Sequence, residues 1–239
     1  MKRIKLECFT TNAAIHKFFP ISSAKKYIPD WFKGITPTVK KAWDLGLESD
    51  VSTLKRCEGF TSLYSKGWVL PMWSDLIIET NDKGEYKYQY SGAFDTYPSE
   101  SAIQGHSPEQ LGNNFPDHIH IKLVVPWFIR ESTGVDFYYS ENTWGIKQLF
   151  DDITIPPGVL NFKNQHGAHI NLFLRKKNTR IIIEHGTPLI HCIPLSNLPL
   201  EIENNLVSDQ EYKHLQQLAT YRFSFLGTYK NKFKLLQGK

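Results

Sequence analysis

Apolar and polar residues alternate most cleanly over residues 118–125, where Ile119, Ile121, Leu123 and Val125 interleave with His118, His120, Lys122 and Val124. A period of two puts one set on each face of a strand, so this segment predicts a half-buried β-strand that ends at Pro126-Trp127. Residues 3–9 repeat the pattern, with Ile4, Leu6 and Cys8 alternating with Lys5 and Glu7. Residues 73–80 and 85–91 flank Asn81-Asp82-Lys83-Gly84, a set that tolerates positive φ, and predict a hairpin. In its second strand Tyr86, Tyr88 and Tyr90 share one face, which covers the core or, alternatively, forms an aromatic platform. A further strand is expected over residues 135–140. Residues 153–196 read as four short strands broken by tight turns, closing on Gly186-Thr187-Pro188-Leu189-Ile190-His191-Cys192-Ile193-Pro194.

Helical signals are fewer. Ser208 and Glu211 form a capping box that opens a helix over residues 209–225, with Gly227 as its stop. Ser107-Pro108-Glu109-Gln110 predicts one helical turn inside an otherwise loop-like stretch, residues 99–116. Over residues 51–66, Val51, Leu54, Phe60, Leu63 and Tyr64 partly fit a helical stripe that stops at Gly67. Residues 20–50 are broken by Pro20, Pro29 and Pro37 and read as irregular, yet Trp31, Phe32 and Trp43 tie them to the domain. Neither a repeat nor a linker is visible. The pattern predicts a single mainly β domain, residues 1–239: an irregular and helical layer (10–67), a β core (68–200) and a C-terminal helix (208–226). The expected architecture is an antiparallel β-barrel or jelly-roll-like fold, of β-clip or double-stranded β-helix type, with a few peripheral helices.

Composition supports this. Of 239 residues 13% are aromatic, a bias that suits sheets and sandwich cores. The net charge of +4 is mild and no basic block stands out beyond Lys230, Lys232, Lys234 and Lys239, so nucleic acid is not an expected partner. Three cysteines, odd in number and far apart, predict free thiols in a reducing compartment. No apolar run approaches the roughly 18 residues that span a bilayer, and no apolar region follows the basic N-terminus, so neither membrane nor secretion is expected.

Two constellations carry candidate chemistry. His118 and His120, two apart on a strand, project to the same side and can ligate one metal ion, iron or zinc, if a third group joins them. His191 is the first choice for that group, with His169, His185, Asp117, Asp136 and Glu184 as alternatives; the competing reading is a pair of ordinary strand histidines. His106 and Glu109, with Trp127 and Tyr138, have the composition of a ligand pocket, although helix capping by Ser107 accounts for the same loop. Walker, Gly-x-Gly-x-x-Gly and Gly-x-Ser-x-Gly motifs are absent. Cys192, between Ile190 and Ile193, reads as a buried inert thiol.

The phrase Gly186–Leu195 is similar to the glycine-led last barrel strand of the dUTPase and dCTP deaminase fold, and Pro157-Gly158-Val159-Leu160 with residues 169–175 resembles that family's hairpin motif. The resemblance covers about forty residues. It implies barrel topology and trimers, but Asn161 stands where the family carries its functional Asp, and an amide cannot serve as a general base. Over a longer span the chain resembles a family of tailed-bacteriophage proteins, especially marine T4-like ones. Ile28-Pro29-Asp30-Trp31-Phe32, Lys55-Arg56-Cys57, residues 67–75, His106-Ser107-Pro108-Glu109-Gln110, Pro126-Trp127 and Gly186-Thr187-Pro188-Leu189 carry that likeness. It implies a viral origin, in the host cytoplasm during infection or in the virion. The leading expectation is a non-enzymatic structural or interaction module, without cofactor, that contacts other virion or host proteins or forms a homo-oligomer. A metal-dependent (Fe or Zn) cupin-like enzyme using His118 and His120, and a deoxynucleotide-binding relative of the dUTPase fold, are the alternatives.

Overall fold

The structure, a computed structural model, describes residues 2–42, 46–91, 102–142 and 152–225. Within them the chain is mainly β, with four α-helices. Strand β1 (Ile4–Thr10) opens the chain, and α1 (Ala13–Phe18) follows, its first turn capped by the Asn12 side chain, which accepts from the Ala14 and Ile15 amides. Next come β2 (Ser22–Ser23), α2 (Asp30–Gly34), a hairpin of β3 (Thr38–Ala42) and β4 (Glu48–Ser52), and α3 (Glu58–Ser65). Strand β5 (Trp68–Pro71) precedes the expected hairpin of β6 (Leu76–Thr80) and β7 (Tyr86–Tyr90). In its turn the Asn81 side chain accepts from the Lys83 and Glu85 amides.

The central strands are β8 (Ile103–His106), β9 (His118–Leu123), β10 (Phe128–Glu131) and β11 (Asp136–Glu141). Residues 152–225 supply β12 (Ile153–Thr154), β13 (Gly158–Asn161), β14 (Ile170–Arg175), β15 (Thr179–Ile183), β16 (Pro188–Pro194), β17 (Leu200–Leu206) and α4 (Asp209–Phe225). Ser208 and Glu211 cap α4 as expected.

Five sheets result among the described residues, with strand orders β10-β1-β17, β13-β11-β16-β5-β2, β12-β14-β9-β8, β15-β6-β7 and β3-β4. Pairing is antiparallel except between β1 and β17. No barrel closes among these residues. One core nonetheless draws on four of the sheets: Leu6, Trp68, Leu76, Ile121, Phe137, Leu172 and Ile190 are all fully buried within a single cluster. Each such side chain contributes about 1.5–3 kcal/mol relative to exposure. A smaller cluster of Ala24, Phe32, Phe60, Tyr64 and Val69 docks α2 and α3 onto β5.

The structure departs from the expected pattern in several places. Residues 20–50 contain α2 and the β3–β4 hairpin. Strand β8 lies inside the expected loop 99–116, and β10 follows directly on Pro126-Trp127. Residues 153–196 hold five strands in place of four, and β16 is not the last strand, because β17 follows. Trp43, Gly227 and Lys230, Lys232, Lys234 and Lys239 lie outside the described residues, as do residues 99–101.

Candidate functional site

The site begins with strand register. β8 pairs antiparallel with β9 so that His106 stands opposite His120, and β9 pairs with β14 so that His120 stands opposite Phe173. Neighbouring strands lie about 4.8 Å apart, so rings on directly opposed residues fall at stacking distance. His106 and His120 stack at 4.4 Å between centroids and 15° between planes, and His120 stacks on Phe173 at 4.7 Å and 17°. Phe115 closes the end of this ladder, edge-on to Phe173 at 5.1 Å.

Hydrogen bonds fix the protons on both imidazoles. The Ser107 amide donates to Gln110 Oε1 (2.9 Å), which identifies that atom as an oxygen. His106 Nδ1 therefore donates to the same oxygen (3.1 Å), and in the neutral ring Nε2 keeps a lone pair. His120 Nε2 donates to Asn171 Oδ1 (3.1 Å), leaving the lone pair on Nδ1. His106 Nε2 and His120 Nδ1 are both shielded from solvent and have no hydrogen-bond partner among the described residues. Burial holds the His120 pKa below its usual value, with His106 and Lys122 acting in the same direction against the Asn171 hydrogen bond. The ring is thus a neutral acceptor at physiological pH.

The ladder borders a cavity of about 200 Å³ between the β6–β7 hairpin and the four-stranded sheet. Lys83 enters from the hairpin turn and Lys176 from the segment after β14; Tyr86, Leu111, Phe115 and His118 add to the wall. The Lys176 stem lies over Gly84, where a Cβ would come within 2.9 Å of Lys176 Cε, and the Tyr86 hydroxyl lies as closely over Gly105. No carboxylate lines the cavity among the described residues, and its lysines are Lys83 and Lys176.

Two constellations separate in sequence thus meet in space: His106 from the expected pocket joins His118 and His120 from the expected metal pair. Their other members do not follow. Glu109 is exposed, and the Ser107 hydroxyl holds its carboxyl below the usual range. Trp127 is 2% exposed inside the core, and Tyr138 lies on β11 between Val159 and Ile193 of the neighbouring strands. His191 belongs to the sheet of β16, where it donates to the Lys66 carbonyl (2.8 Å) and stacks on Tyr64. Burial lowers its pKa. His185 is occupied by Asp75 (2.7 Å), and His166 by the Ile129 carbonyl and the Phe128 ring.

No three His, Cys, Asp or Glu side chains among the described residues are grouped to hold a metal ion, so the His118, His120 and His191 triad is not assembled. The stacked pair offers no substitute. A bound ion lies near the plane of each imidazole, and two planes one strand apart and 15° from parallel do not meet at bonding distance.

Lys83, Lys176, Phe115, Gln110 and Asn171 are the residues that sequence reasoning missed. Only the proximity of Gln110 to His106, four residues on, left a local trace. Asn161, at the position of the dUTPase acid, donates to the Gly134 carbonyl and to Asp136 Oδ1 and thereby clamps β13 to β11. The sequence matches no protein-family model, and no curated protein matches it.

Proposed function

We propose that this chain is a non-enzymatic bacteriophage protein, a β-rich interaction module that works by binding, with virion or host components as its partners and a homo-oligomer as one form of the assembly. The observation that carries the reading is the cavity that the histidine ladder borders with Phe115, Lys83 and Lys176. Of the two stacked rings, burial weakens His120 as a base. Amides tie both rings at one nitrogen each, where a catalytic histidine is oriented and strengthened by a carboxylate.

The layered sheets fit a jelly-roll-like arrangement in this reading, since one core is shared by sheets whose strands are distant in sequence. No described helix is long and apolar enough to cross a membrane; action in the host cytoplasm or on the particle is part of the same proposal.

Site-specific photo-cross-linking during infection tests the proposal. A photoreactive residue at position 111, on the cavity wall, should give a discrete adduct that the same group at exposed position 201 does not. Equal or absent adducts at the two positions would overturn the binding reading, and absence of the chain from purified particles by mass spectrometry would remove the virion from its partners.

A further inference from the structure

Resting on the reading of this chain as an interaction module, we propose that a second copy of the chain docks on the free edge of β15. The two three-stranded sheets then join into one six-stranded sheet about a twofold axis at Ile182. The first argument is the edge itself. β15 pairs with β6 on one side and with no described strand on the other. Edge strands are normally blunted by proline, lysine or a bulge. Thr179-Arg180-Ile181-Ile182-Ile183 carries neither proline nor lysine, and its register against β6 runs without a shift. Ile182 points away from the core and is 52% exposed.

The second argument is charge order. Arg180, Ile182 and Glu184 are spaced by two and exposed on the outer face of the sheet, while Ile181 and Ile183 are buried on the inner one. Along the chain that outer face runs positive, apolar, negative. Antiparallel pairing about Ile182 sets this residue opposite its own copy and sets Arg180 opposite Glu184 of the second copy, twice. An axis on Arg180 or Glu184 would oppose like charges, and an axis on Ile181 or Ile183 would leave both charges unmatched.

The neighbouring strands carry the same code. Lys87 stands opposite Glu79 and Glu79 opposite Arg180, whose Nε lies 3.6 Å from Glu79 Oε1. The row therefore alternates positive, negative, positive across β7, β6 and β15, and Glu184 of the second copy supplies the next negative. The adjoining row of Gln89, Ile77 and Ile182 ends apolar and meets its own apolar end. A twofold pairing closes on itself, so it gives a dimer and not a fibre. One short edge buries less than the ~1,200 Å² of a standard interface, so the dimer should dissociate in the micromolar range.

Sedimentation velocity on the full chain, from about 1 to 300 µM, tests the proposal and should show a monomer passing to a dimer. Ile182→Asp, at an exposed position, should weaken the dimer at least about tenfold and leave the melting transition at low concentration unchanged. Arg180→Glu and Glu184→Arg should each weaken self-association by a similar factor. Mixing these two variants should restore it, because each charge then faces its opposite across the axis.

A chain that stays monomeric at the highest concentration would overturn the proposal, as would a dimer that all three variants leave intact. Failure of the mixture to associate would overturn the Arg180–Glu184 register. A monomeric chain whose photoreactive residue at position 182 captures a different protein during infection would assign the edge to that protein and overturn the second copy. Any of these results with the position-111 adduct still formed overturns this inference alone. A monomer that gives no adduct at either position overturns the binding reading beneath it as well.

Discussion

Gly67 joins α3 to β5, and replacing it by alanine tests the packing of the largest sheet. Its φ is +79°, and a Cβ built there would stand 2.1 Å from the Cys192 carbonyl oxygen and 3.0 Å from Ile193 Cα. A carbon–oxygen approach normally stops near 3.3 Å, so relief requires movement of more than about 1 Å between β5 and β16. Both contacts are to backbone in a central strand, which cannot swing aside as a side chain does. Gly186 provides the control. Its φ is also +79°, yet nothing lies within 4 Å of its added Cβ.

Left-handed backbone costs an alanine about 1–2 kcal/mol, partly offset by about 0.4–1 kcal/mol from the stiffer unfolded chain. Gly186→Ala should therefore cost about 1 kcal/mol. Gly67→Ala adds an overpacking cost of about 1–3 kcal/mol, for a total near 3 kcal/mol. With a urea slope of about 3 kcal/mol per molar, the two midpoints should differ by roughly 0.7 M. Equal midpoints, within about 0.2 M, would refute the close approach of Gly67 to Cys192.

Asn161→Asp replaces the donor to Asp136 Oδ1 by a like charge across β11–β13; it should destabilise by about 1–3 kcal/mol at neutral pH, read by urea midpoints. Tyr64→Phe leaves the buried Asn142 Oδ1 without its 2.9 Å donor and should lower the melting temperature by about 3–8 °C. A thiol reagent should modify one cysteine rapidly, because Cys57 is exposed whereas Cys8 and Cys192 are buried with their thiol pKa values pushed up. Burial lowers the pKa of both His169 and His191, so the unfolded chain binds more protons and stability falls as pH drops below about 6.5. His191→Gln, which keeps a donor for the Lys66 carbonyl, should flatten that fall when urea midpoints are compared across pH.

The elements legible in the sequence are those specified locally. Strand β9 shows its period because one face, Ile119, Ile121 and Leu123, is buried and the other is not. Helix α4 shows its start because Ser208 and Glu211 cap it within one turn. The β3–β4 hairpin was hidden because both its faces are exposed, so no hydrophobic period exists to find. Strand β10 was hidden for the opposite reason. Phe128, Ile129 and Glu131 are all buried, and the Glu131 carboxylate, which patterning scores as polar, accepts from the Thr133 and Gly134 amides inside the fold.

The site divides along the same line. That His118 and His120 share a face follows from a two-residue repeat and could be read directly. That His106 stacks on His120 depends on the register of β8 against β9, which the eleven residues between them set through a capped turn and not through any periodicity. Composition had grouped His106 with Trp127 and Tyr138, but composition carries no distance, and the core took Trp127 while another sheet took Tyr138. Two strand histidines opposite each other at stacking distance keep their lone pairs, and it is the near-parallel ring planes, 15° apart, that stop them sharing an ion. The chemistry of His120 is therefore decided by Gln110, Asn171 and strand spacing, none of which the His-x-His spacing reveals.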